Sequence, residues 1–347
     1  MVRWPCAVIV ASCIWHGTAG AQSVDFVIAN FSNATLRLFE IRNGRGELVR
    51  DVKSGYSHGH RGAVGSVWRI NWLTGRELCK FAVHERMTIV VVDAPAVPRG
   101  WETQTIAGFQ VLFSPALLRD EASSARAHQF MRDQLDAVTR LVPPAALQQL
   151  RRVRLWLDLD ASGSSRALAF YKSPPSIFTA SPADRPTERN FGYGGFHGAM
   201  FLGIVFPNIV DAIAISGVSR APMIVLHELA HAYHHQVLGM WNPDVKRAYE
   251  AAKAKGLYRN VSFWNGNVAP VGYATSNERE YFAGLTEAYF GRNAQNPLDA
   301  NELKSHDPDG FRLVERAWNG ALESIAPINT VACRSPDRAR TGASWGP

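Results

Sequence analysis

Pro222-Met223-Ile224-Val225-Leu226-His227-Glu228-Leu229-Ala230-His231-Ala232-Tyr233-His234-His235-Gln236-Val237-Leu238 is the stretch on which the reading of this chain turns. It contains His227-Glu228-Leu229-Ala230-His231. Side chains four apart on an α-helix lie one above the other on the same face, about 6 Å apart. Two imidazoles at that spacing can hold one zinc ion, with the intervening glutamate turned toward the water such an ion activates. Met223, Leu226, Leu229, Ala230, Tyr233 and Val237 form an apolar stripe, so the helix is expected to be buried. Ser219 is placed to cap it, Pro222 to sit in its first turn, and Gly239 to end it. A buried helix must satisfy His227, Glu228 and His231, because each unpaired polar group costs about 1–3 kcal/mol. A bound metal does this; hydrogen-bonded core histidines are the alternative. His234 and His235 follow on the same helix and are read as surface groups or as groups behind the ligands.

A catalytic zinc takes three protein ligands and leaves one position open. Val237 stands where a third histidine six residues after His231 would be. The better donor lies in Tyr273-Ala-Thr-Ser-Asn277-Glu278-Arg279-Glu280-Tyr281-Phe282-Ala283-Gly284-Leu285-Thr286-Glu287. Thr275 and Glu278 form a T-x-x-E capping box, which predicts a helix start there, and Gly291 is placed to stop that helix. Glu280, Gly284 and Glu287 then share one face. Glu280 is the expected third ligand and Glu287 the alternative.

Residues 1–21 carry Arg3, an apolar stretch Ala7–Trp15 and Ala19-Gly20-Ala21 before Gln22. That is the pattern of a cleaved export signal, and it predicts a periplasmic or secreted protein. No later run is long and apolar enough to cross a membrane; Pro207, Asn208 and Asp211 break the strongest rival, so no transmembrane anchor is expected. Cys6 and Cys13 would leave with the signal. Cys79 and Cys333 remain as an even pair, expected to bridge, with two free buried thiols as the alternative. The formal charge of +7 includes Arg3, which leaves about +6 on the mature chain. Its basic residues are scattered apart from Arg151-Arg152-Arg154 and the tail 334–347, which is expected to be disordered. No basic stripe interleaved with aromatics is present, so nucleic acid is not an expected partner.

Residues 22–95 read as short strands, Phe26–Ile28, Thr35–Phe39, Glu47–Val49, Ser66–Ile70 and Met87–Val92. Asn43-Gly44, Ser54-Gly55 and Thr74-Gly75 turns separate them, the spacing of a small all-β sandwich. Pro95–Glu102 is a linker. Pro115–Leu141 has helical periodicity, a second helix follows at Ala145–Arg152, and Val153–Leu159 alternates like a strand that Ala167–Tyr171 can pair with. Ser173–Tyr193 is a long Pro/Ser-rich loop. Met200–Phe206 and Ile209–Ile215 read as strands leading into the histidine helix. The fold class is therefore α+β, with a second domain over 103–330.

The two motifs together, H-E-L-A-H and Tyr273-x-x-x-Asn277-Glu278-x-Glu280-Tyr281-Phe282-Ala283, resemble the glutamate-zincins of the anthrax lethal factor type. They are closer still to exported bacterial peptidase-like proteins. The resemblance covers roughly Val111–Trp318 and implies a zincin-like metallopeptidase domain. It implies Zn2+ held by His227, His231 and Glu280, Glu228 as general base, and Tyr273 aimed at the developing oxyanion. Peptide or protein is the implied substrate. The family carries an acid where this chain has Gly284. Within Met200–Ile215, an apolar strand is expected to pair with extended substrate. The N-terminal region, through Ile28-Ala-Asn30-Phe-Ser32, Gly65-Ser66-Val67-Trp68 and Leu78–Phe81, is similar to the β-domain of the von Hippel–Lindau protein. That similarity implies a docking role for a protein partner, with Trp68 either a pocket wall or a core residue. Two alternatives stay open: a zincin scaffold that no longer cuts and serves as an exported binding module, and a zinc hydrolase acting on a non-peptide amide.

Overall fold

The computed structural model describes residues 22–334 except 33, 55–56, 86–87, 94–96, 160–167, 172–199, 201, 218–220, 240–241 and 323–327. The expected signal sequence, the Ser173–Tyr193 loop, Ser219 and the tail beyond Arg334 therefore lie outside the described residues. The fold is α+β: an all-β region comes first and a mixed region follows. Among the described residues, no helix is long and apolar enough to cross a membrane.

The β region packs two four-stranded sheets on one core. One sheet has the order β15-β7-β1-β4, from Asn329–Cys333, Thr88–Val92, Ser23–Asn30 and Ser57–Ala63. The other has the order β3-β2-β5-β6, from Arg45–Val52, Leu36–Arg42, Val67–Trp72 and Glu77–Ala82. Phe26 and Ile28 of the first meet Leu36, Leu38, Trp68 and Ile70 of the second, in the period-two alternation of half-buried strands. Trp68 is a core residue: it is 3% exposed, packs edge-on against Phe26, and its Nε1 donates to Ser66 Oγ at 2.9 Å. The pocket-wall alternative is thereby set aside. Strand β15 enters from the far end of the chain and runs parallel to β7. It carries Cys333, which is disulfide-bonded to Cys79 on β6, so the bridge joins the two sheets across 254 residues.

The mixed region is built on a sheet of order β11-β12-β10-β9-β8, from Phe170–Tyr171, Ile204–Phe206, Leu155–Leu157, Phe109–Phe113 and Glu102–Ile106. The three central strands are parallel and largely apolar, as strands covered on both faces must be. Strand β11 pairs antiparallel with β12 rather than with β10. The long helix expected over 115–141 is two: α1 (Pro115–Arg119) and α2 (Glu121–Leu141). The division falls at Asp120, whose carboxylate accepts from Ser123 N and Ser123 Oγ, both at 2.9 Å, and so starts a new helix. Helix α3 (Pro144–Leu150) follows. Ile209–Gly217 is not a strand but a helix, α4. Asn208 Oδ1 accepts from Val210 N and Asp211 N, and the buried Ile209 and Ala212 recur at helical spacing, which overrides the β-branched composition.

Candidate metal centre

The histidine helix, α5, runs Ile224–Tyr233 and begins after Met223, so Pro222 precedes the helix rather than occupying its first turn. The chain then widens into one π-helical stretch, His234–Gly239, and stops at Gly239, whose φ of 91° only glycine adopts without strain. His234 and His235 are 2% and 3% exposed, which overturns the surface alternative and keeps the one that placed them behind the ligands. They follow His231 by three and four positions and so share its face of the helix, and burial holds their pKa values down at about 3, so both are neutral at pH 7.

Helix α6 (Pro243–Ala254) and the hairpin β13–β14 (Arg259–Ser262, Val268–Val271) lead to the second motif. The Thr275–Glu278 capping box does not form. Thr275 Oγ1 instead donates to Gly272 O at 2.8 Å within a short 3-10 turn, Tyr273–Thr275. Asn277 takes the cap: its Oδ1 accepts from Arg279 N and Glu280 N at 3.0 and 3.1 Å, and helix α7 spans Glu278–Phe290 with Gly291 ending it. The helix therefore starts two residues later than the capping box implies, on another residue's side chain. Beyond it lie α8 (Ala300–His306) and α9 (Pro308–Trp318). The buried Asp307 accepts from Tyr258 and Tyr281 hydroxyls at 3.0 and 2.6 Å and caps α9 through Gly310 N, which ties α7 to the helices behind it.

Helices α5 and α7 pack side by side and bring the predicted residues together. Glu280 Oε2 stands 3.2 Å from His227 Nε2 and 3.3 Å from His231 Nε2. One ligand atom from each of the three lies within 4.8 Å of the others, the set of a metal site. A tetrahedral zinc with bonds of about 2.0–2.1 Å spaces its donors roughly 3.3–3.4 Å apart, which the two distances from Glu280 match. Glu287, the alternative ligand, lies behind: its Oε1 is 3.5 Å from His227 Nδ1, the nitrogen facing away from Glu280. Burial pulls the His227 pKa down, yet the Glu287 and Glu280 carboxylates hold it well above the ordinary histidine value. Gly284 leaves a gap on the same face: a β-carbon there would meet Ala274 and Asn293 only at 4.0 Å.

Glu228 is 6% exposed, and its Oε2 is buried without a hydrogen-bond partner. The Tyr171 backbone N–H donates to the same carboxylate, and burial raises its pKa above the usual carboxylate value against the pull of His231 and His227. Tyr273 is half-exposed with its ring 6.4 Å from that of His227; burial, then the Glu280 and Glu228 carboxylates, push its hydroxyl up to about 12. These groups line a cleft of about 250 Å³, together with Phe170, Tyr171, His234, His235 and Arg279.

Tyr171, Gln236 and Arg279 carried no signal in the sequence. Tyr171 sits in a two-residue strand, yet its hydroxyl meets His235 Nδ1 at 2.8 Å and accepts from Gln236 Nε2 at 2.9 Å. The strand expected to pair with substrate, β12, is flanked by β10 and β11 and has no free edge. Among the described residues the sheet edge bordering the cleft is β11. No protein-family profile and no curated protein matches this chain.

Proposed function

We propose that this protein is a zinc-dependent peptidase whose ion is held by His227, His231 and Glu280. The observation that carries the reading is a buried glutamate, Glu228, with one unpartnered oxygen beside a three-donor cluster of zinc spacing. A scaffold that only binds gives that carboxylate no task, and leaving it buried costs about 1–3 kcal/mol. When bound, zinc supplies Lewis acidity: it lowers the pKa of a water and polarises a carbonyl.

The protein's own groups complete the chemistry. Glu228 Oε2 takes the proton of the attacking water and passes it to the leaving amine, and its burial-raised pKa suits both halves of that task. The Tyr171 N–H favours the ionised Glu228 carboxylate. Tyr273, whose hydroxyl stays protonated at neutral pH, donates to the oxygen on which negative charge develops. Strand β11 offers its edge to an extended peptide. The Cys79–Cys333 disulfide supports export to an oxidising compartment.

The deciding experiment is digestion of a denatured protein mixture by the zinc-loaded protein beside Glu228→Gln, with new peptide ends read by mass spectrometry. Chelator-sensitive cuts absent from Glu228→Gln are expected. Identical cuts from both proteins, or none from a folded and zinc-loaded one, would sink the peptidase reading.

A further inference from the structure

Arg279 sits between Glu278 and Glu280, so the first turn of α7 that delivers Glu280 also places a guanidinium at the cleft. Its backbone N–H is taken by Asn277 Oδ1. Its guanidinium meets no carboxylate within ion-pair distance among the described residues. Some other arginines are paired, Arg61 with Asp25 at 2.8 Å and Arg247 with Asp244 at 2.9 Å, and others such as Arg151 meet a backbone carbonyl instead.

The two carboxylates of the cleft are already committed. Glu280 faces two imidazoles, and Glu228 is tied to the Tyr171 N–H. The same lining includes His234 and His235, both buried, each with an Nε2 that has no partner. Arg279 is thus the one Lys or Arg among the cleft's lining residues, and it has no ion-pair partner among the described residues. A planar guanidinium matches a carboxylate in a bidentate fork, the strongest hydrogen-bonded pairing open to it.

The geometry points to Arg279 as a specificity-determining residue that takes a substrate carboxylate close to the scissile bond, from an Asp or Glu side chain or from the chain's terminal carboxylate. The inference rests on the peptidase reading of the same cleft and names its substrate class.

Two small chelators test it without turnover: succinic acid monohydroxamate, and its neutral analogue in which the carboxylate is a carboxamide. Titration calorimetry on the zinc-loaded protein is expected to show the acid binding about 10-fold tighter than the amide. Arg279→Ala should bring the ratio to about one, and Arg279→Lys should restore part of it. Circular dichroism of both variants, substituted at an exposed position, should match the parent. A ratio near one in the parent, or an unchanged ratio in Arg279→Ala, overturns the assignment. Binding of neither hydroxamate overturns the metal reading and this one with it. Product ends from the digestion separate the two sources. Asp or Glu enriched at one fixed position beside the cut identifies a side chain, and stepwise loss of C-terminal residues identifies the terminal carboxylate. Cuts showing neither pattern overturn the proposal.

Discussion

His227 is held from both sides of its ring: Nε2 faces Glu280 at 3.2 Å and Nδ1 faces Glu287 at 3.5 Å. One imidazole thus joins two carboxylates of the same helix, seven positions apart and so nearly two full turns. Glu287 is placed to fix the ring's tautomer and to raise its basicity.

Glu287→Gln should therefore weaken zinc binding by about 10–100-fold while leaving the three ligands in place. Competition against a chromophoric chelator measures it. An unchanged affinity would remove Glu287 from this role, and a complete loss of binding would make it a ligand instead.

Gly284 lies in the interior of α7, and a methyl group added to its Cα would find nothing nearer than 4.0 Å. Gly284→Ala should raise stability by about 0.5–1 kcal/mol, because alanine loses less backbone freedom on folding and fits without a clash. Chemical denaturation checks it, and zinc affinity should not change. A destabilised protein would mean that the helix needs glycine here for a reason other than space.

Tyr171→Phe removes the hydroxyl that partners His235 Nδ1 and Gln236 Nε2. Leaving a buried ring nitrogen unpaired should cost about 1–3 kcal/mol. The Gln236 amide would still donate to Leu202 O at 3.3 Å. Thermal melts of Tyr171→Phe and of Tyr171→Phe combined with His235→Phe measure the loss and its recovery. If the double variant is no more stable than the single one, the unpaired nitrogen is not the cause.

His60 gives the β region a pH dependence. Burial, then Arg50 and His58, lower its pKa from the ordinary value to about 4, and its Nε2 has no partner. Between pH 6.5 and 4 the unfolded chain binds the proton first, so stability falls as pH drops through that window and is unaffected above it. The loss should reach up to about 3 kcal/mol at pH 4. His234 and His235 contribute in the same direction, so the measurement is the difference between parent and His60→Gln melting temperatures across about pH 4–7. Parallel curves would show that His60 does not titrate there.

Parts of the site were legible for identifiable reasons. The pair His227 and His231 follows from the helical period alone, and Gly291 ends α7 where its sequence position places it. The start of α7 was legible only to within two residues: Asn277, not Thr275, supplies the capping oxygen, because Thr275 is spent on the 3-10 turn before it. Composition misled at Ile209–Gly217, where β-branched residues form a helix once Asn208 caps it and tertiary packing buries one face. The placement of His234 and His235 behind the ligands was one of two readings the sequence left open, whereas the π-helical form of their turn depends on what packs against the helix rather than on its residues.

By itself the sequence determined what is local: the helical spacing of two imidazoles around a glutamate and the alternation of the N-terminal strands. Local rules suffice for these because each depends on backbone geometry over a few residues. Tertiary structure decided between the two candidate glutamates: Glu280, 53 residues beyond His227, faces both imidazoles and Glu287 stands behind the ring. It also decided that Tyr171 holds Glu228 and that residues 329–333 return to complete the first sheet. Those relationships are set by packing between elements far apart in the chain, which no local period encodes.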